Sequence, residues 1–578
     1  MKLFRRFRII KSSKPEPSWL NKFFWATSGF VAFTVLIVIL FQGYRLPFLG
    51  IEGKIIQIST VLAALLTLAE ITISGIFFLS RRKIEPNPWL LLVFGFSLLV
   101  ALLFFRFLTF AVILLYQLTA LGHRLSKKGV FFSLINRMRQ QAVVSLVLSF
   151  TTLITLGSLF LTFPAATTDG RGTPLLDALF TATSATCVTG LIVRDTGTYF
   201  TTFGQGIILV LIQLGGLGIM TFSTSIALFL GHRLAPGERR LVTEMVETPR
   251  AVDVARIIRY IFLFTLLTEG LGWLVLFLQW LPRFPTIGLT IYNALFHSVS
   301  AFCNAGFSTF NDSIIRYQND PIINITFILL IVLGGLGFAV VHELFSKPRA
   351  RQGTFKFLTV HSQLVLITTT VLIFIGALLF FFLEYDRSLA QLPIGTKLLA
   401  SLFQSVTART AGFNTIPMNF LRPATMLIFT ILMFIGASPG GTGGGIKTTT
   451  FVVLFLSLHA RLSNQDDIVF GGRTIDRDTV YRALSIAIAA SGVVTIALVI
   501  LLSVETHPFQ ELLFETVSAF GTVGLSTGIT SSLKVISRLV IIILMFTGRL
   551  GPLTLALALA APKTRLDITY PRARIMVG

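Results

Sequence analysis

Four short segments of this chain align without a gap, and they decide its fold. They read Ser184-Ala-Thr-Cys-Val-Thr-Gly190-Leu-Ile-Val, Ser300-Ala-Phe-Cys-Asn-Ala-Gly306-Phe-Ser-Thr, Val406-Thr-Ala-Arg-Thr-Ala-Gly412-Phe-Asn-Thr and Ser518-Ala-Phe-Gly-Thr-Val-Gly524-Leu-Ser-Thr. Each segment has a glycine at its seventh position, followed by Leu or Phe, and the glycines recur at intervals of 106–116 residues. This self-similarity predicts four fused copies of one supersecondary unit.

A second set of glycines recurs in register with the first. It begins 24–28 residues after each loop glycine, in the segments Leu214-Gly-Gly-Leu-Gly218, Leu333-Gly-Gly-Leu-Gly337, Ile435-Gly-Ala-Ser-Pro-Gly440 and Thr547-Gly-Arg-Leu-Gly551. A single glycine in an apolar helix usually serves close helix packing. Four copies at matched offsets instead indicate one shared architecture, in which each unit is a helix, a pore loop and a second helix.

The composition places most of the chain in lipid. Its 578 residues are 54% apolar and only 13% charged, with a mean hydropathy of +0.82. The formal charge of +23 comes from basic links between apolar runs, as the positive-inside rule predicts for cytoplasmic loops. No aromatic stacking platform accompanies these charges, so nucleic acid is not an expected partner. Cys187 and Cys303 alone imply no disulfide framework.

Length and flanking charge predict an all-α polytopic membrane protein. The expected spans are 23–43, 56–80, 88–121, 141–163, 204–230, 257–280, 322–345, 360–383, 421–459, 480–503 and 534–560. Four apolar stretches are too short to cross the bilayer and are predicted to be re-entrant: 174–187, 289–303, 396–409 and 508–521. The basic links follow the second span of each pair, so these links and the C-terminus are expected in the cytoplasm.

The pattern also divides the chain into regions. The four units are expected at 141–230, 253–345, 360–459 and 478–561, the third with a broken second helix, followed by a cytoplasmic tail at 562–578. Residues 1–140 hold extra membrane segments of unassigned role, and the run 23–43 is expected to stay as an anchor because it is too long for a signal peptide. The links opposite the basic ones are acidic, either to concentrate cations at an outer mouth or by chance.

The loops themselves point to ion conduction. Backbone outside a helix survives at membrane depth only where it is buried in protein or lines a water-filled path. Four such segments around a pseudo-fourfold central pore can turn carbonyl oxygens toward the axis, where they replace the hydration shell of a monovalent cation. A glycine at one place in each loop allows backbone angles that a side chain would prevent. Carbonyl rings favour potassium or sodium over anions.

Several segments resemble the Trk/Ktr/HKT superfamily of potassium transporters, and most closely the bacterial Ktr membrane subunit. They are the four pore loops, Gln213-Leu-Gly-Gly-Leu-Gly-Ile-Met-Thr221, Gly436-Ala-Ser-Pro-Gly-Gly-Thr-Gly-Gly-Gly-Ile-Lys447-Thr, Met545-Phe-Thr-Gly-Arg549-Leu-Gly-Pro-Leu-Thr554 and Tyr570-Pro-Arg-Ala-Arg-Ile-Met-Val-Gly578. The resemblance covers about residues 141–578. It implies a homodimer in the lipid bilayer of the plasma (bacterial inner) membrane that binds a cytosolic ring of nucleotide-binding regulatory subunits. It also implies no organic cofactor in this chain.

In that superfamily a glycine in all four loops goes with potassium selectivity, whereas a serine in the first loop is associated with sodium transport in some plant members. Because Gly190 occupies the first loop, the resemblance implies potassium uptake. The potassium ions are then expected to bind at Val188, Thr189, Gly190, Asn304, Ala305, Gly306, Thr410, Ala411, Gly412, Thr522, Val523 and Gly524. No loop contains the Thr-Val-Gly-Tyr-Gly signature of potassium channels, which leaves a sodium-conducting or weakly selective transporter as the alternative.

The run from Gly436 to Gly445 is too glycine-rich to remain helical, which predicts a broken helix. In the superfamily the equivalent stretch is an intramembrane loop that lies below the filter and acts as a gate. Lys447 and Arg549 either project toward the same cavity, where a positive charge raises the barrier for a cation, or cap helix ends and pack against carbonyls. The expected gate residues are Gly436, Gly440, Gly441, Gly443, Gly444, Gly445, Lys447 and Arg549.

Two further expectations concern charged residues within apolar segments. Arg409, three residues before Gly412, is expected to point away from the axis toward an acidic group behind the filter. A membrane-embedded enzyme, the remote alternative function, would need clustered acidic or histidine residues within the spans. The candidates Glu70, Glu269, His342 and Glu343 show no recurrent spacing, so the chain is not expected to be an enzyme.

Overall fold

The computed structural model describes residues 26–31, 33–34, 58–59, 61–63, 65–67, 69, 142–218, 254–346, 358–465 and 467–559. The expected span 88–121 and the tail 562–578 lie outside the described residues, and 23–43 and 56–80 are described only in short helical pieces. The described ranges are mostly helical, with almost no strand, which confirms the predicted all-α class.

The helices from residue 142 onward form four groups of the same order. The first group contains α1 (Ala142–Leu161), α2 (Leu175–Thr186) and α3 (Thr202–Leu217). The second contains α4 (Val254–Trp280), α5 (Ile287–Phe302), α6 (Pro321–Gly335) and α7 (Phe338–Ser346). The third contains α8 (Val360–Glu384), α9 (Ile394–Thr407), α10 (Pro423–Phe434) and α11 (Thr448–Leu462). The fourth contains α12 (Arg477–Val504), α13 (Phe509–Gly521), α14 (Val535–Leu550) and α15 (Pro552–Leu559).

The short helices α2, α5, α9 and α13 are called the pore helices below. Their bounds agree with the predicted re-entrant stretches to within two residues. Between the third and fourth groups the described chain forms one antiparallel hairpin, β1 (Val469–Phe470) with β2 (Arg473–Thr474).

The four groups close into a ring. Each pore helix packs against the second helix of the preceding group: α5 on α3, α9 on α6, α13 on α10, and α2 on α14. The last of these contacts joins the first group to the fourth, and an ion pair of 2.7 Å between Asp177 and Arg538 spans it. The pore helices therefore converge on one centre.

The second helix of the second, third and fourth groups breaks, although the glycine run predicted a break only in the third. The expected span 322–345 is divided into α6 and α7, which are bent by 104°, and 534–560 is divided into α14 and α15. The expected span 204–230 stops being helical at Gly218, and its remainder lies outside the described residues. Gly218, Gly337 and Gly551 have φ of +77°, +89° and +87°, a left-handed conformation that ends a right-handed helix.

Close packing explains the second set of glycines. A Cβ atom at these positions would overlap a carbonyl oxygen at the end of the pore helix in the same group: Gly215 with Thr186, Gly334 with Phe302, and Gly548 with Phe520. The second helices thus approach the pore helices at backbone-to-backbone distance, and the glycine that packing requires lies just before the glycine that ends the helix.

The outer surface of the helices is apolar. Leu267, Phe374 and Phe382 are 65–67% exposed, whereas many threonine and serine side chains are buried among the pore helices. In the described ranges three helices are long and apolar enough to cross a bilayer, at Tyr260–Trp280, Val360–Glu384 and Arg477–Val504, and α6 with α7 passes as a bent pair. Exposed apolar surface of this extent is typical of contact with lipid.

Candidate functional site

The loops that follow the four pore helices share one backbone conformation. In each loop the glycine and the residue two positions before it have positive φ: Val188 (57°), Gly190 (92°), Asn304 (59°), Gly306 (70°), Thr410 (72°), Gly412 (77°), Thr522 (49°) and Gly524 (89°). A non-glycine residue with positive φ is uncommon and carries local strain. The same strain at four equivalent places, under different side chains, shows that the loops are structurally equivalent.

The four loop glycines form a closed ring. A Cβ atom at Gly190 would lie 2.5 Å from the carbonyl oxygen of Ala305 and 3.0 Å from the Cα of Gly306. A Cβ atom at Gly306 would likewise lie against the carbonyl oxygen of Ala411 and the Cα of Gly412. The same contacts join Gly412 to Val523 and Gly524, and Gly524 to Thr189 and Gly190, which closes the ring. At every step a carbonyl oxygen of the next group lies against the glycine, in space that any side chain would fill.

Hydroxyl groups of the pore helices hold these loops. The N–H groups of Gly190 and Gly524 each donate to a serine Oγ, that of Ser184 and that of Ser518, over 3.1 Å. In the second loop the Ser300 hydroxyl donates instead to the carbonyl of Phe307 over 2.8 Å. The third loop has valine at the aligned position.

In that third loop the next residue takes over the role of the serine. The Thr407 hydroxyl donates to the carbonyl of Phe413 over 2.6 Å. The pore helices thus fix the backbone of each loop through a side chain near their own C-terminal end.

A cavity of about 480 Å³, called the vestibule below, opens on one side of the ring. All four loop glycines line it, together with residues that follow them, such as Phe307, Asn414 and Ser526. The charged lining residues in the described chain are Arg194, Asp195 and Asp312. The vestibule is therefore polar rather than strongly acidic.

Four acidic residues of these links are paired with basic ones. The pairs are Asp177 with Arg194 and Arg538, Asp312 with Arg316, Asp320 with Arg283, and Asp386 with Arg422. Paired surface charges produce little field beyond their own contact. The geometry thus favours a structural role for these carboxylates over the concentration of cations.

The segment 436–447, called the glycine loop below, contacts the ring on the side away from the vestibule. The N–H of Gly444 donates to the Thr522 hydroxyl over 2.9 Å, and a Cβ atom at Gly443 would overlap the Thr410 hydroxyl. Thr410 and Thr522 precede their loop glycines by two residues, whereas the vestibule is lined by the glycines and by residues after them. The ring therefore lies between the vestibule and the glycine loop.

Backbone hydrogen bonds attach the glycine loop to its neighbours. The N–H groups of Ser438 and Thr442 donate over 3.0 Å to the carbonyls of Gly335 and Gly334 in α6, and that of Gly445 donates over 3.2 Å to Gly548 in α14. The Thr442 hydroxyl lies 3.3 Å from the carbonyl of Phe302, at the end of a pore helix. Groups two and four thus both hold a loop that belongs to group three.

Lys447 and Arg549 bind carbonyl oxygens at this loop. The Lys447 ammonium donates to the carbonyl of Gly443 over 2.7 Å. The Arg549 guanidinium donates to the carbonyl of Thr442 in the glycine loop and to the carbonyls of Gly215 and Gly216 at the end of α3. Of the two alternatives for these side chains, the structure favours contact with carbonyls, and Arg549 thereby joins the glycine loop to a helix of the first group.

The sequence of the chain was compared with known proteins. The profile of the TrkH family, described as cation transport protein, matches residues 104–566. The chain belongs to the TrkH family. The match begins at residue 104, within the region that the sequence pattern left unassigned at 1–140.

Characterised relatives of this TrkH-family chain include two uptake proteins. Ktr system potassium uptake protein B of Vibrio alginolyticus is 39% identical over 435 residues, which are 75% of this chain and 94% of the relative. Potassium/sodium uptake protein NtpJ of Enterococcus hirae is 34% identical over 449 residues, 76% of this chain and 98% of the relative. These matches confirm the resemblance inferred from the loops, and they confirm that the chain belongs with transporters rather than enzymes.

The fold has a solved counterpart in the same family. The crystal structure of the potassium transporter TrkH from Vibrio parahaemolyticus superimposes with a TM-score of 0.58, over 87% of this chain and 97% of that chain. The two sequences are 20% identical, so this likeness shows the fold alone.

One expectation for this TrkH-family chain is wrong. Arg409 was expected to meet an acidic group behind the ring, but its guanidinium donates to the carbonyls of Thr369 and Gly436 over 3.4 and 3.5 Å. No ion pair of Arg409 occurs in the part of the chain that the structure describes. A positive charge beside a predicted cation path led us to expect that Arg409 points away from the axis, but the sequence could not show what surrounds its side chain.

Sequence reasoning also missed the residues that support the ring. The serines at the first position of three aligned segments, Ser184, Ser300 and Ser518, all hydrogen-bond a loop backbone group. Their recurrence at one offset from the glycine was a visible signal, because a polar residue repeated in apolar helices needs a partner.

Proposed function

We propose that this chain is the ion-conducting subunit of a Trk/Ktr-type potassium uptake system in a bacterial plasma membrane. Potassium, the transported substrate, enters from the vestibule, passes the ring of loop glycines and reaches the glycine loop, which gates the path. The observation that carries the proposal is the closed ring, in which four equivalent loops bring backbone carbonyls together at one centre.

The chemistry of the ring suits a monovalent cation. Its carbonyl oxygens come from uncharged, fully buried residues, Thr189, Ala305, Ala411 and Val523. Partial charges of this kind replace water around potassium without binding it so tightly that it cannot leave. Side-chain carboxylates, which would hold a divalent cation, are absent from the described residues of the loops between each pore helix and its glycine. The potassium sites then lie at the three residues up to and including each loop glycine.

The position of the glycine loop supports a gate. The loop lies against the ring on the side away from the vestibule, and its consecutive glycines leave the backbone free to adopt more than one conformation. Arg549 and Lys447 stabilise the observed conformation through its carbonyls. A change that breaks these contacts would let the loop move out of the ion path. The two basic residues therefore stabilise the closed conformation of the gate.

The partners of the proposal follow from family membership. A homodimer that binds a cytosolic ring of nucleotide-binding regulatory subunits would place the C-terminus in the cytoplasm, as the basic links predict. A mass measurement by light scattering in detergent tests the dimer, because one protomer is 63.7 kDa. A protomer mass at all concentrations would contradict it.

A second candidate is uptake of both potassium and sodium. The observation that favours it is the relative from Enterococcus hirae, which is named a potassium/sodium uptake protein. Gly190 in the first loop favours potassium alone, because serine at that place is associated with sodium transport in some plant members of the superfamily.

Uptake into liposomes separates the two candidates. The purified full-length protein is reconstituted, an inward potassium gradient is applied, and uptake is measured with increasing external sodium. Potassium uptake that sodium does not reduce supports the leading proposal, whereas sodium uptake at a comparable rate supports the second. Liposomes with the protein that take up neither ion faster than empty ones would reject both.

A further inference from the structure

Arg409 is a buried cation whose charge is not balanced within the described residues. Its side chain is 8% exposed, and its hydrogen bonds, to two neutral carbonyls, have lengths of 3.4 and 3.5 Å that approach the limit for such bonds. Its Nε has no partner. A guanidinium offers five N–H donors, so most of its donor capacity is unused.

A small, partly open cavity lies beside this guanidinium. Its volume is about 20 Å³, enough for one water-sized particle. Arg409 and Thr369 line it, and the Thr369 hydroxyl is also buried without a partner. The remaining lining residues are uncharged: Ile331, Val332, Gly335, Leu336, Ile373, Val406 and Ala437. Two unsatisfied donors therefore border one space that no carboxylate of the described residues lines.

We propose that this cavity binds a single monatomic monovalent anion, chloride in the cell, held by the Arg409 guanidinium and the Thr369 hydroxyl. A buried charge is tolerated when an opposite charge compensates it. A water molecule would accept a hydrogen bond but would leave the charge in place. The apolar walls and the small volume exclude phosphate and carboxylate groups, which are larger and need more donors.

The anion affects transport through the position of Arg409, a consequence that rests on the proposed function. Arg409 precedes the ring residue Gly412 by three positions and donates to the carbonyl of Gly436, where the glycine loop begins. A positive charge this near the ring repels a cation in the ring, and a site of low dielectric screens this electrostatic repulsion poorly. A bound anion removes it, so potassium uptake rises when the site is occupied.

Bromide diffraction tests the site without reference to transport. Crystals of the full-length protein are grown with bromide in place of chloride, and anomalous scattering is measured at the bromine edge. A peak in contact with the Arg409 guanidinium and the Thr369 hydroxyl is the expected result. A fully ordered site that shows no anomalous signal, and so holds only water, overturns the proposal.

Anion exchange tests the consequence. In liposomes we expect potassium uptake to fall several-fold when chloride is replaced by gluconate, which is too large for the cavity. Thr369→Val should raise the chloride concentration needed for half-maximal uptake. The matched control is Thr268→Val, another buried threonine in a membrane helix, whose hydroxyl already donates to the Phe264 carbonyl over 2.8 Å.

The outcomes separate this proposal from the proposed function. Uptake that is equal in both anions, in a protein that transports potassium, overturns the anion's role in transport. A chain that transports no potassium in either anion contradicts the proposed function instead, and the bromide peak then decides the site alone.

Discussion

At the scale of single residues, the ring depends on places where no side chain fits. Gly190 and its three equivalents have positive φ and also lie against a carbonyl oxygen of the next group. Positive φ alone would favour glycine, and so would the close carbonyl alone. Because both apply, any other residue at these positions would displace part of the ring. The sequence predicted these four positions because all four copies share them. It could not predict that each glycine contacts the following group, since that contact depends on how the groups are arranged.

Gly190→Ser should reduce selectivity. The new Cβ would lie 2.5 Å from the Ala305 carbonyl oxygen, so that oxygen must turn away from its present position. We expect the ratio of potassium to sodium uptake in liposomes to fall roughly tenfold, which corresponds to about 1.4 kcal/mol in relative binding. Gly206→Ser is the matched control, because a Cβ there meets nothing within 4 Å. An unchanged ratio in Gly190→Ser would place the selective step outside the ring.

At the scale of elements, hydropathy predicted the lengths of the helices well and the breaks within them poorly. The pore helices and the long helices α4, α8 and α12 lie where the apolar runs predicted them. The breaks at Gly337 and Gly551 were missed because a glycine in an apolar run fits both a continuous helix and an interrupted one. The structure shows that the helix is interrupted, because α6 and α7 are bent relative to each other. The Phe338 N–H donates to the carbonyl of Gly440 in the glycine loop over 3.1 Å.

Shortening the glycine loop should raise flux. Deletion of two residues between Gly440 and Gly445 removes backbone that lies below the ring, while the loop glycines of the ring are untouched. We expect potassium uptake per protein to rise several-fold with an unchanged potassium-to-sodium ratio. Arg549→Ala should act in the same direction, because it releases the carbonyl of Thr442. A fall in uptake at matched protein density would show that the loop is a packing element.

Asp320→Ala should destabilise the start of α6. The Asp320 carboxylate accepts from the N–H groups of Ile322 and Ile323 over 3.0 and 3.1 Å and pairs with Arg283. Loss of such a helix cap costs about 1 kcal/mol. The thermal midpoint of the protein in detergent should therefore fall by a few degrees, and Asp386→Ala, whose carboxylate is largely exposed, should have a smaller effect.

The same carboxylate makes stability depend on pH. Partial burial alone would raise the pKa of Asp320, but hydrogen bonds from Gln279, Arg283 and the Ile323 N–H outweigh it and lower the pKa below its ordinary 3.8. The stabilisation is thus complete above pH 3.8 and is lost as the pH falls through the folded-state pKa. Asp320→Asn should lower stability at pH 7 and lessen this acid dependence. An equal acid response in both proteins would assign it to other carboxylates.

At the scale of the whole molecule, the family match and the four groups define the transporting part. The match covers residues 104–566, and the ring is complete within residues 142–559. The alternation of long and short apolar stretches predicted this architecture. Local sequence patterns do not contain information on contacts between distant residues. They therefore could not predict the order in which the groups pack, or that Arg409 has no ion pair among the described residues.

Removal of residues 1–103 should leave transport intact. None of these residues belongs to the family match, and no residue of the ring or of the glycine loop lies among them. We expect the truncated protein to take up potassium in liposomes at a rate within about twofold of the full chain, since the ring and the glycine loop are retained. Loss of uptake in a truncated protein that remains monodisperse would show that the first segments contribute to the path.

The contact between Asp177 and Arg538 links residues that are 361 positions apart, and it has a consequence for biogenesis. During synthesis the first three groups enter the membrane before the fourth exists, so the Asp177 carboxylate of the first pore helix has only Arg194 as its partner, and the loop edge stays open. Closure comes only when α14 is inserted, near the end of translation. A nascent chain that stalls before that point exposes polar backbone in lipid, a feature by which membrane quality control can distinguish an unfinished transporter from a finished one.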